Sequence, residues 1–268
     1  MIPTAHFIAV TFYLGAAAIA ALPFARRVRA PVTGVVVALL AGIAAHATAL
    51  LGLSREAGSA SLTGLGPALS FAGLVLAIAL VLVEIFAREV SLTLLAAPLA
   101  ALVTVAANLT GMHPFLDQQG ARAVWLTLHI ILSFVGLAAY ATAAAAGTMY
   151  LVARRELKSG QFGPIYRFFP PLETLDRVNH LASLAGFVAL TLGLALAAAY
   201  SFQYRALVLP QIIWGMTAWT GVAVLAIGRV ARGWQARRAA VLSAVTFAGV
   251  LALYVVFRVA AFGGGQFL

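Results

Sequence analysis

The chain has 268 residues, 63% of them hydrophobic and 9% charged, with no cysteine and a formal net charge of +10. Soluble domains carry roughly 25% charged residues, so this composition excludes a water-soluble globular enzyme. The missing cysteine excludes disulfides, thiolate metal sites, thioether cofactor attachment and thiol redox chemistry. The positive charge is accounted for by membrane topology, because Lys and Arg accumulate in cytoplasmic loops, and no nucleic-acid partner is implied.

Eight apolar runs, each near the ~20 residues that cross a hydrocarbon core, are expected in chain order. They lie at about 4–24, 32–53, 65–86, 90–109, 122–152, 179–200, 210–228 and 238–261. The fold class is therefore all-α, a polytopic integral membrane helix bundle forming one transmembrane domain over 1–268. The first run lacks a basic leader and is followed by Arg26, Arg27 and Arg29, as in a retained first span and unlike a cleaved signal peptide. Alternate loops hold thirteen Lys and Arg on one side and four on the other. That bias puts both termini on the outer, periplasmic side of the cell inner (cytoplasmic) membrane, as a multi-pass protein in contact with lipid. The fifth run is longer than a bilayer requires and is expected to tilt or to project into the cytoplasm.

Two histidines sit deep in these runs. His46 lies within Ala44-Ala45-His46-Ala47-Thr48-Ala49-Leu50 of the second, and His129 within Trp125-Leu126-Thr127-Leu128-His129-Ile130 of the fifth. Each falls about seven residues, or ~10 Å, below the outer boundary. Small residues surround both, with Gly42, Ala45 and Ala49 near His46 and Gly136 two turns past His129. Ionisable groups inside membranes are costly and mark function. The pair is expected to ligate a metal centre, most simply a bis-histidine heme b, since no third or fourth ligand at that depth supplies zinc. The alternative is that each imidazole hydrogen-bonds a neighbouring helix.

Arg122, on the same face as His129 two turns higher, and Arg258 in the eighth run suit heme propionates through bidentate hydrogen bonds. Snorkelling to the interface is their other use. Trp125 walls the same pocket or belongs to the aromatic belt. His6 either sits at the outer interface, the favoured reading, or joins the site; His113 is a residue of an outer turn, with a solvent-exposed ligand as the alternative; His180 lies at the cytoplasmic end of the sixth run, while Glu84 and Glu89 read as boundary residues. No catalytic Ser, Cys or paired carboxylate stands out, so no catalytic residue is assigned.

Pro170-Pro171-Leu172-Glu173-Thr174-Leu175-Asp176-Arg177-Val178-Asn179, with Gly186-Phe187 and Leu190-Thr191-Leu192-Gly193 beyond it, resembles the P-x-L-E-x-L-D-R-x-N…G-F…L-T-x-G segment of the cytochrome c assembly family. Gly233-Trp234-Gln235-Ala236-Arg237-Arg238-Ala239-Ala240 is similar to its G-W-R-G-R-R-A-A step into the last span. The surroundings of His46 and His129 resemble the histidine motifs of the HemX-like and YpjD-like branch of these CcsA- and CcmC-type proteins. Members that deliver heme to cytochrome c carry a tryptophan-rich WWD loop. Here Pro210, Trp214 and Trp219 keep its spacing, but its Asp and Lys-Glu are gone and the loop is short. A histidine that relatives often place before the last-span step is replaced by Gly228-Arg229.

The resemblance implies an eight-span HemX-like protein with heme as ligand, held by His46 and His129, and without cytochrome c synthase activity. Three roles follow from these readings. The first is heme handling in cytochrome c maturation. The second is regulation or scaffolding, with the basic loop from Arg154 to Arg177 engaging a tetrapyrrole-synthesis enzyme or a cytochrome c assembly protein. The third is electron transfer as a heme-bearing subunit of a larger respiratory complex.

Overall fold

The computed structural model describes residues 2–25, 31–57, 62, 64–87, 91–113, 121–160, 169–204 and 209–261. They form α1 (Ile2–Ala20), α2 (Leu22–Ala25), α3 (Val32–Ala57), α4 (Leu65–Ala87), α5 (Ser91–Thr110), α6 (Ala121–Ser159), α7 (Leu172–Tyr204), α8 (Leu209–Arg232) and α9 (Ala236–Ala261). All but the short α2 are long and apolar enough to cross a membrane, eight in total among the described residues. Helices are the economical solution for such a sequence. In hydrocarbon every backbone donor and acceptor must be satisfied within the segment, and the abundant Ala and Leu favour the helical backbone.

The helices end where local chemistry stops them. Gly111, at φ 86°, follows α5, and Gly233, at φ 56°, follows α8. Both adopt the left-handed conformation that closes a helix without a Cβ penalty. Pro98 lies inside α5, where its missing N–H removes one backbone bond. Several helices outrun the expected spans: α3 continues to Ala57, α6 is 39 residues long, and α7 begins at Leu172, well before residue 179. The basic loop expected from Arg154 to Arg177 is thus helical at both ends, and its middle, 161–168, lies outside the described residues. Arg26, Arg27, Arg29, Arg88 and Glu89 also lie outside them.

Contacts divide the chain into two compact units, Met1–Thr127 and Leu128–Leu268, with the division falling near the start of α6. In unit 1, α1 packs on α3 and α5, and α4 packs on the same two helices, which closes a four-helix ring. Ile2, Ala49, Leu50, Leu53 and Leu74 form a buried cluster within it. In unit 2, α7 packs on both α8 and α9, which also pack on each other. Tyr140 of α6 joins Leu190, Val222, Leu225 and Val250 in its core. Large apolar side chains such as Phe7, Leu51, Leu109 and Phe202 point outward, as suits a lipid solvent. Association inside each unit therefore rests on close packing and on polar contacts between helices.

Candidate functional site

A continuous polar chain runs through the ring of unit 1. His6 and His46 are both fully buried, at 0% exposure. Their rings meet edge to face with centroids 5.0 Å apart. The Nε2 atoms of both lie 2.9 Å from a single oxygen, Ser70 Oγ of α4. The remaining nitrogens are also taken, His6 Nδ1 by Asn108 Oδ1 of α5 at 3.0 Å and His46 Nδ1 by the Tyr13 hydroxyl of α1 at 3.1 Å. Close approach of α1 to α3 makes this geometry possible. A Cβ on Gly42 would stand 2.6 Å from Tyr13 Cε1, so only glycine lets the phenol pass toward His46.

His129 of α6 has a different environment. Half-buried, it donates from Nδ1 to the Gly193 carbonyl of α7 at 2.8 Å, and Ser133 Oγ lies 3.4 Å from the same nitrogen. Its Nε2 makes no hydrogen bond among the described residues. A backbone carbonyl on one ring nitrogen fixes the tautomer and leaves the other as the lone-pair donor, the usual arrangement around a metal-bound histidine. Gly193 is where the chains approach, since a Cβ there would lie 3.0 Å from Ser133 Oγ.

The expected residues belong to both units. His46 belongs to unit 1 and His129 to unit 2. His46 sits about three turns before the end of α3, and His129 about two turns after the start of α6. Arg122 is exposed on the first turn of α6 and Trp125 is 36% exposed on the next. Arg258 lies in α9, with its side chain outside the described residues. The room expected beside Gly42 and Gly136 is filled: the Tyr13 ring covers the first, and a Cβ on the second would meet Leu190 Cγ at 2.5 Å. Among the described residues no group of three or more His, Cys, Asp and Glu is placed to hold a metal ion.

Two residues are buried beyond what the sequence shows. His6, for which the outer interface and membership of the site were the two readings, is a buried member of the unit 1 chain. Glu84, near the end of α4, is fully buried and accepts a hydrogen bond from Thr93 across the α4–α5 hairpin. His113, by contrast, is exposed as expected.

The segment from Pro170 to Asn179 works as a clamp at one end of unit 2. Asp176 forms an ion pair with Arg229 of α8 at 2.8 Å, with the arginine side chain 10% exposed. Arg229 also bonds His180 Nδ1 and the carbonyls of Asp176 and Trp234, at 3.4–3.5 Å. At the position where the family resemblance implies a histidine, this arginine ties α7 to the α8–α9 corner. One turn on, Asn179 Nδ2 donates to the Ala143 carbonyl of α6 at 2.7 Å and to Ser243 Oγ of α9 at 2.8 Å. The α8–α9 corner is sealed by Trp234 lying against Gly228 with the Arg238 guanidinium 4.1 Å above its ring.

The tryptophans that keep the WWD spacing are within α8. Trp214 Nε1 donates to the Val250 carbonyl of α9 at 3.0 Å and Trp219 Nε1 to Thr191 Oγ1 of α7 at 2.9 Å. Both indoles therefore tie helices together.

The sequence also matches known proteins. The profile of the family described as "Cytochrome C assembly protein" matches residues 62–262, from just before α4 to the end of α9. A cytochrome c biogenesis protein CcsA from Prochlorococcus marinus subsp. pastoris (strain CCMP1986 / NIES-2087 / MED4) is 34% identical over 90 residues, covering 32% of this chain and 29% of that relative. The chain thus aligns with less than a third of the length of that relative.

Proposed function

From a multi-pass membrane chain that belongs to the cytochrome c assembly protein family, we infer a heme-handling protein that assists cytochrome c maturation. His129 and His46 are the iron ligands of this reading, and a b-type heme is the cofactor. The observation that carries it is the His129 environment: Nδ1 is held by Gly193 O at 2.8 Å, leaving Nε2 for iron. His46 meets the requirement only on release of a present partner, since both of its nitrogens are bonded. Arg122 is the cation offered to a propionate, and Trp125 a wall residue.

Bound heme would supply reversible one-electron chemistry, and two histidines on iron favour electron transfer or storage over oxygen activation. The protein's share is to hold neutral imidazoles in fixed tautomers among apolar helices and to keep water from them. An inner-membrane location with the termini outward, and partners among cytochrome c assembly proteins, belong to the same reading. Synthase activity does not, because Trp214 and Trp219 are engaged within the bundle.

The test is an absorption spectrum of the purified protein, oxidised and dithionite-reduced, for wild type, His129→Ala and His46→Ala. A low-spin b-type spectrum is expected in wild type. His129→Ala should lose heme or become high-spin, and His46→Ala should become high-spin while retaining some heme. A folded wild type that takes up no heme when it is supplied during expression refutes the reading.

A further inference from the structure

The hydrogen bonds of unit 1 have a direction that a single residue determines. Asn108 Nδ2 lies 3.0 Å from the Thr104 carbonyl, which can only accept. The amide nitrogen must therefore face Thr104, and Asn108 Oδ1, an acceptor, faces His6 Nδ1 at 3.0 Å. His6 thus carries a proton on Nδ1. Both imidazoles are neutral, because a proton added to either would bury an imidazolium among apolar helices with no carboxylate among its bonded partners. A neutral His6 with its proton on Nδ1 has a lone pair on Nε2, so the Ser70 hydroxyl donates to it at 2.9 Å. With its one proton committed, Ser70 Oγ must accept from His46 Nε2, also at 2.9 Å. His46 Nδ1 is then the lone pair, and the Tyr13 hydroxyl donates to it at 3.1 Å.

We infer that Asn108, His6 and Ser70 are positioning residues that hold His46 with its proton on Nε2 and its lone pair on Nδ1 facing Tyr13. Every bond in the chain depends on the one before it, so the tautomer of a histidine on α3 is dictated from α5 through α1 and α4. The two deep histidines are thereby opposites. His129 carries its proton on Nδ1, toward Gly193 O, whereas His46 carries its proton on Nε2.

A regulatory consequence rests on the functional reading above. An imidazole with hydrogen on Nε2 cannot coordinate iron through that atom, so the chain locks His46 against ligation through Nε2. Freeing Ser70 from His6 lets the serine hydroxyl turn to donate to His46 Nε2; the imidazole then carries its one proton on Nδ1, and the Tyr13 hydroxyl turns from donor to acceptor there. A lone pair then stands at Nε2, held by one exchangeable hydroxyl.

The test uses heme-free full-length protein in lipid nanodiscs with its histidines labelled with nitrogen-15, where protonated and lone-pair ring nitrogens resonate far apart. Histidine-to-glutamine variants assign the signals. Wild type is expected to show His6 protonated on Nδ1 and His46 on Nε2. In His6→Phe the His46 proton should move to Nδ1, while His129 keeps its own on Nδ1 as a sign that the fold persists.

Asn108→Leu, which leaves both histidines in place, should divide His46 between the two forms. A wild-type His46 protonated on Nδ1, or a His46 signal unmoved in both His6→Phe and Asn108→Leu, overturns the inference. In a separate titration with hemin, His6→Phe should bind on the order of tenfold more tightly than wild type, the worth of one released hydrogen bond. Absence of hemin binding by any form counts against the heme reading alone, because the tautomer signals are recorded without heme.

Discussion

Unit 1 and unit 2 both bury polar side chains among apolar helices, and they arrange them in contrasting ways. In unit 1 the polar atoms of α1, α3, α4 and α5 join into one chain from Tyr13 to Asn108, with both histidines bonded on both nitrogens. In unit 2 they form separate clamps, Asp176 with Arg229, Asn179 with Ser243, Trp219 with Thr191, and His129 keeps one nitrogen unbonded among the described residues. The family profile begins at residue 62, after α1 and α3. His6, Tyr13 and His46 therefore lie ahead of it, while the clamps and His129 lie inside. The contrast separates the two proposed ligands: His129 keeps a nitrogen unbonded among the described residues, whereas His46 would have to release a partner.

The strongest way to break this contrast is to remove one half of a clamp. Arg229→Ala leaves Asp176 with an uncompensated charge, and a loss of about 3 kcal/mol is expected, read as a lowered unfolding midpoint in detergent. Asp176→Ala should cost less, and the double variant little more than Arg229→Ala, because the two residues act as one pair. Additive losses would show that the clamp is not a unit.

A smaller effect sharpens the unit 1 side. Gly42→Val drives a side chain into the Tyr13 ring, which a Cβ would already meet at 2.6 Å. About 2 kcal/mol of destabilisation is expected, with His129 signals unchanged. Tyr13→Phe in the same background keeps the ring and should rescue nothing, which separates crowding from the lost hydroxyl.

The smallest effect concerns α8. Trp219→Phe removes the indole bond to Thr191 but keeps an aromatic against Phe187. About 0.6 kcal/mol should be lost, the typical worth of a hydrogen bond between membrane helices. Heme content should not change, and a large fall in it would return this tryptophan to a functional role.

Eight spans were legible because apolar runs of that length have few alternatives, and the described helices match them in number and order. Their ends were less so. The polar stretch Leu172-Glu173-Thr174-Leu175-Asp176-Arg177 reads as loop by hydropathy, yet it is the start of α7, since Arg229 satisfies Asp176 from another helix. His46 and His129 could be singled out by their apolar surroundings. The role of His6 could not, because its partners Ser70 and Asn108 stand 64 and 102 residues away. The partner of Glu84 was hidden for a similar reason: its place beside a basic loop in sequence gave no sign of a hydroxyl donor on the next helix. The WWD spacing of Pro210, Trp214 and Trp219 survives within α8, where the helical period turns both indoles onto neighbouring helices.

The length of α6 has a further implication. Its 39 residues extend about 58 Å at 1.5 Å per residue, against a hydrocarbon layer of ~30 Å. Even the steepest tilts of membrane helices, about 40°, leave it roughly 14 Å too long. Rigid helix must therefore stand clear of the oily layer like a mooring post. Arg154, Arg155 and Lys158 are carried on its last turns, so positive charge is mounted on a rigid arm and not on a free loop.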